Sequence, residues 1–77
     1  MEISAKKIQE WSNKEISSVA WQRIILKALP QLREKGLELS DLMSPTNLML
    51  SGEAFEIIAA AIEDLYQVAI PSEYVTV

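Results

Sequence analysis

Cysteine and histidine are both absent from this chain of 77 residues. The first absence excludes disulfides, thiolate chemistry and thiolate metal sites. The second removes the usual general base near neutral pH and the commonest metal ligand. Glycine occurs only at Gly36 and Gly52, and proline only at Pro30, Pro45 and Pro71. No Gly-rich phosphate loop can be built from so few glycines, and no serine has a histidine partner. Long apolar runs are missing too. Stretches such as residues 57–62 fall well short of the roughly 20 residues that span a bilayer. The first seven residues lack the apolar core and cleavage site of a secretory signal, so a cytoplasmic protein with no membrane span is expected.

What is present is apolar and acidic. Apolar residues make up 49% of the chain and the formal net charge is −4, a balance that folds rather than stays disordered. The length suits one domain over residues 1–77, with stability limited by the small core such a chain can bury. An acidic surface argues against nucleic acid, whose binding is driven by Lys and Arg. A partner with a basic patch fits it better.

The glycines and prolines punctuate the chain, and the segments between them read as helices. Ser4 is placed to cap a first helix that carries Ile8 and Trp11 on one face and ends near Asn13. A second helix starts at Ser17 or Ser18. Its apolar residues Trp21, Ile24, Ile25, Ala28, Leu29 and Leu32 recur at steps of three and four. Pro30 lies within that pattern and predicts a kink or a break. Arg33, Lys35 and then Gly36 suit its C-terminus. Residues 37–50 form a connection rich in Leu and Met, with Leu42, Met43, Leu48, Met49 and Leu50 mostly sealing the core, an exposed recognition patch being the alternative, and Ser44-Pro45 opening a single helical turn. The clearest helix covers residues 51–67. Phe55, Ile58, Ile62 and Leu65 trace its apolar stripe, joined by Ala61 and Tyr66, and Ser51 is its expected cap. Pro71 stops it, and the tail after Ser72 forms one turn or an extended strap. The expected fold is all-α, a small bundle of three or four helices.

Trp21 fits the core stripe, whereas Trp11 fits either a core position or an exposed interface anchor. The carboxylates Glu53, Glu56, Glu63 and Asp64 share the long last helix. Paired carboxylates can do acid–base work, but a solvated helix face accounts for these, and enzymatic activity is not expected.

One constellation is more specific. The stretch SGEAFEII from Ser51, then AAIEDLY to Tyr66, then VAIP to Pro71 resembles the second helix and exit of acyl and peptidyl carrier proteins. Upstream, SPTNL from Ser44 is similar to that family's loop before its serine, and the matched region spans residues 44–74. The resemblance implies a carrier-protein-like bundle with 4'-phosphopantetheine attached at Ser51, where exposed amides at a helix N-terminus favour a phosphate. It implies an acidic face, with Glu53, Glu56 and Glu63 as docking charges for a phosphopantetheinyl transferase and for synthase enzymes of lipid, polyketide or nonribosomal peptide assembly. The sequence departs from the family at two neighbours of the serine. Leu50 stands where the family has Asp or His, and Gly52 where it has a bulky apolar residue. A gapless alignment from Ile70-Pro71 would place Gly52 at the serine position, whereas choosing Ser51 aligns Phe55, Glu56, Ile57 and Ile58 with residues of the expected type. No segment follows to supply the family's last helix, and residues 4–13 are the expected replacement. The alternative expectation is a small helical adaptor or inhibitor that binds another protein and carries no prosthetic group.

Overall fold

Two long amphipathic segments set the architecture. The structure, a computed structural model, describes residues 1–44 and 47–76. In chain order it contains β1 (Glu2–Ser4), α1 (Ala5–Glu15), α2 (Ala20–Glu34), α3 (Leu39–Met43), β2 (Met49–Ser51), α4 (Gly52–Tyr66) and a 3-10 turn (Ser72–Tyr74). The protein is mostly helical, but the all-α expectation is corrected by a small antiparallel sheet. In it Glu2 lies opposite Ser51, Ile3 opposite Leu50 and Ser4 opposite Met49. Glu2 also exchanges backbone hydrogen bonds of 2.9 and 2.8 Å with Thr76, which puts β1 between β2 and the chain's C-terminal strap. Side chains alternate across a pleat, so Ile3 and Leu50 are both buried while Glu2, Met49 and Ser51 face solvent.

Helix α2 is the hub, packing against α1, α3 and α4, with α4 its most extensive partner. Ala20, Trp21, Ile24, Ile25, Ala28 and Leu32 are its buried residues, which is the stripe read from the sequence less Leu29, itself only half-buried. On α4 the inward residues are Ile58, Ala61 and Ile62, with Phe55 and Tyr66 half-buried. Leu65 departs from expectation. It is 37% exposed in the last turn of α4 despite its position on the stripe. Trp11, buried on α1, stacks at a tilt on Tyr74 of the 3-10 turn, with ring centroids 6.5 Å apart, and so is a core residue.

The helix ends show where local signals were overruled. Ser4 and Ser51 occupy N-cap positions, but neither side chain makes a capping hydrogen bond. The first amide of α1, that of Ala5, donates instead to the Leu48 carbonyl at 2.8 Å. Helix α2 begins at Ala20 and not at Ser17 or Ser18. Its Trp21 amide donates to Asn13 Oδ1 at 3.1 Å, so the cap comes from the preceding helix. Pro30 does not break α2, which continues to Glu34. The carbonyl it frees is that of Leu26, and both residues lie on the exposed face, where water can satisfy that oxygen.

Gly36 adopts a left-handed φ of 84°, and the Leu37 and Gly36 amides return to the Leu32 and Arg33 carbonyls, a Schellman ending as expected. The short helix of the connection lies at Leu39–Met43, opened by the Glu38 amide bonding Asp41 Oδ2 at 3.1 Å. Ser44 ends it, whereas the turn expected from Ser44-Pro45 falls on residues 45 and 46, outside those described. Leu42 and Leu50 are buried and Met43 and Leu48 half-buried, while Met49 is exposed. Both forms expected of the tail occur, a turn at Ser72–Tyr74 and an extended pairing at Thr76.

Candidate functional site

Ser51 is the last residue of β2 and the residue before α4. Its backbone is extended, as the strand requires, and Gly52 then takes φ 55° to turn the chain into the helix. That sign of φ is unstrained for glycine and costly for residues with a Cβ, which gives Gly52 a local reason to stand there. The Ser51 side chain is exposed and its hydroxyl is not spent on the helix terminus. The residue borders a shallow depression of about 330 Å³ with Lys35, Leu37, Met49, Glu53 and Ala54. Lys35 is the single cation of that lining, and it forms an ion pair with Glu53. A hydrogen bond between the two side chains, backed by their opposite charges, raises the Lys35 pKa and lowers that of Glu53. Both side chains remain in water, so the pair orders the surface more than it stabilises the fold.

The three glutamates expected to act together border two different depressions. Glu53 and Glu56 line the groove between α4 and α2, with Gln31, Glu34, Lys35, Ile57 and Ala60. Glu63 lines a different, mostly apolar groove with Phe55, Ala59, Val68 and Ile70. Ser51 therefore shares its depression with Glu53 alone of the three. Across the sheet from Ser51 stands Glu2, a carboxylate that local sequence reading could not place there because 49 residues separate the two in the numbering. Among the described residues no group of three Asp or Glu side chains is arranged to hold a metal ion. Among the described residues, too, no helix is long and apolar enough to cross a membrane.

One signal in the sequence was missed, namely the order of the charges. All seven Lys and Arg residues precede Gly36, and seven of the eleven carboxylates follow it. Folding places α2, with Lys27 and Lys35 toward the seam, directly against the acidic α4. Comparisons of the chain with protein-family models, with curated proteins and with solved structures give no match.

Proposed function

We propose that the protein has a non-catalytic, carrier-type role in which the Ser51 end of α4 is the working end. The observation that carries this reading is the exposed Ser51 hydroxyl, free of any capping bond, at the start of a long acidic helix. On this reading Ser51 accepts 4'-phosphopantetheine from coenzyme A through a separate transferase, and the thiol of the arm bears the acyl or aminoacyl cargo. Lys35, in the same depression, is the cation available to a phosphodiester there. Glu53, Glu56 and Glu63 offer charge to basic patches on the transferase and the synthase enzymes, with Glu53 partly neutralised by Lys35. Helix α1 meets the C-terminal turn through Trp11 and Tyr74, in keeping with an N-terminal helix doing the work of a final one.

A second reading, a protein-binding adaptor with no prosthetic group, is favoured by one specific contact. Glu2 sits opposite Ser51 on the solvent face of the sheet, where its charge opposes a phosphate. The measurement that separates the two is intact mass after incubation with coenzyme A and a broad-specificity phosphopantetheinyl transferase. A carrier gains one phosphopantetheine, and Ser51→Ala abolishes the gain. An unmodified wild type across several transferases, or a Ser51→Ala protein that is still modified, removes Ser51 as the attachment point and leaves the adaptor. Glu2→Gln gives a further check, since relief of the opposing charge should speed modification.

A further inference from the structure

The C-terminal strap is tied to the rest of the molecule at two points. The backbones of Glu2 and Thr76 exchange hydrogen bonds of 2.9 and 2.8 Å, and the Thr76 hydroxyl donates a third to the Glu2 carbonyl at 3.1 Å. Just before it, the Tyr74 ring rests on Trp11. The strap is otherwise thinly packed. No side chain of the 3-10 turn is fully buried, Tyr74 and Val75 are half-buried, and Ser72, Glu73 and Thr76 are exposed. Two hollows undercut it. One of about 400 Å³ lies between Glu73 and Tyr74 of the strap and Lys7, Glu10 and Lys14 of α1. The other, about 250 Å³, is the apolar groove of Phe55 and Ile70, which reaches Ser72 and Val75.

The hydrogen bonds of β1 divide so that the strap can leave alone. Successive residues of an antiparallel strand turn their backbone groups to opposite edges. Glu2 spends its amide and carbonyl on Thr76, whereas the Ala5 amide, toward the other edge, goes to the Leu48 carbonyl. Releasing Thr76 therefore breaks no bond of the β1–β2 pairing. The bonds from the Tyr74 amide to the Pro71 carbonyl and from the Val75 amide to the Ser72 carbonyl lie within the turn and travel with it. A segment with few buried contacts, and with bonds separable from those of the core, opens at a lower free energy than the whole fold. We propose that residues 72–76 form a latch that opens and closes as a unit while the helices stay folded. Closed, it covers Trp11, which is only 7% exposed. Open, it bares the side of that ring under Tyr74 and the Glu2 edge of β1. Charge biases the latch toward closure. Glu73 shares the larger hollow with Lys7 and Lys14, and Glu10 alone opposes it, a net attraction that added salt screens. The inference does not rest on the role proposed for Ser51.

Amide hydrogen exchange on the full chain, followed by NMR, tests it. Relative to its intrinsic rate, the Thr76 amide should exchange about a hundredfold faster or more than the amides of Ala5, Ile24 and Ile25, which open only with the core. Replacing Lys7 and Lys14 together by Glu should raise the opening about twofold to fivefold, the range expected of exposed charge pairs. Thr76→Pro has no amide to donate to Glu2 and should hold the strap open. The Trp11 indole signals should then broaden with a soluble paramagnetic agent, those of Trp21 should not, and the helical circular dichroism should be unchanged. Thr76 and Ala5 amides that exchange at one common protected rate overturn the proposal, and this wild-type result decides even where Thr76→Pro does not fold. A Trp11 as sheltered in folded Thr76→Pro as in the wild type overturns it too. Lysine reversals that leave Thr76 exchange unchanged overturn the electrostatic bias.

Discussion

The indole Nε1 of Trp21 donates a buried hydrogen bond of 2.7 Å to the carbonyl of Leu42. This contact ties the hub helix α2 to the one-turn helix α3 and satisfies a polar atom of the largest fully buried side chain in the protein. Trp21→Phe keeps an aromatic ring but leaves that carbonyl without its donor. The cost should be about 1–3 kcal/mol from the unpaired acceptor, with a further loss from the missing volume. Urea unfolding of the variant against wild type measures it. A change below about 0.5 kcal/mol would mean that water replaces the indole donor.

Asn13 should matter more than the serines that precede α2. Its side chain accepts the Trp21 amide at 3.1 Å, whereas Val19 occupies the N-cap position itself. Asn13→Ala should destabilise by about 1 kcal/mol, the usual worth of a cap. Ser17→Ala and Ser18→Ala should stay within about 0.5 kcal/mol, as surface substitutions do. The three unfolding midpoints, measured side by side, decide the matter.

The stripe of α4 makes a paired prediction. Ile62 is fully buried and Leu65 is 37% exposed, although periodicity places both on one face. Ile62→Ala should cost about 2–5 kcal/mol, and Leu65→Ala should cost clearly less, because much of its side chain already meets water. Equal losses would show that Leu65 is covered in solution.

The Lys35–Glu53 pair has a definite pH signature. The Lys35 ammonium, hydrogen-bonded to Glu53, holds that carboxylate below its ordinary pKa. A lowered folded-state value means that the pair's contribution is present above the unfolded pKa and is lost as the pH falls through the folded one. Both groups are solvent-exposed, so the effect on stability is small and the titration itself is the better readout. Carboxylate titration by NMR should find the Glu53 pKa rising toward its ordinary value in Lys35→Met. No change on removing Lys35 would dissolve the pair.

Gln67 ends α4 in the left-handed region, with φ 56° and its amide donating to the Glu63 carbonyl. A side chain at this φ carries a penalty of about 1 kcal/mol that glycine avoids, partly offset by glycine's greater freedom when unfolded. Gln67→Gly should therefore leave stability unchanged or raise it by up to ~1 kcal/mol, read as a shift in thermal midpoint. A clear loss would assign real weight to the bond that Gln67 Nε2 donates to the Asp64 carbonyl.

Features that depend on near neighbours could be read from the order of the residues. Residues at three- and four-residue spacing, such as Trp21, Ile24, Ile25, Ala28 and Leu32, had to share a helix face, and that face is the core of α2. Gly36 and the residues around it dictated how α2 ends, because a left-handed turn is a local event. The acidity of α4 was legible for the same reason. Tertiary structure alone decided the sheet. Strands of three residues have no period to read, and the pairing of Ile3 with Leu50 joins segments almost fifty residues apart. It also decided which groups cap the helices, since Asn13 and the Leu48 carbonyl reach amides that local serines were expected to serve. The split of Glu53 and Glu56 from Glu63, and the arrival of Glu2 opposite Ser51, belong to the same class. Periodicity fixes which side chains share a face, but only packing fixes what that face meets.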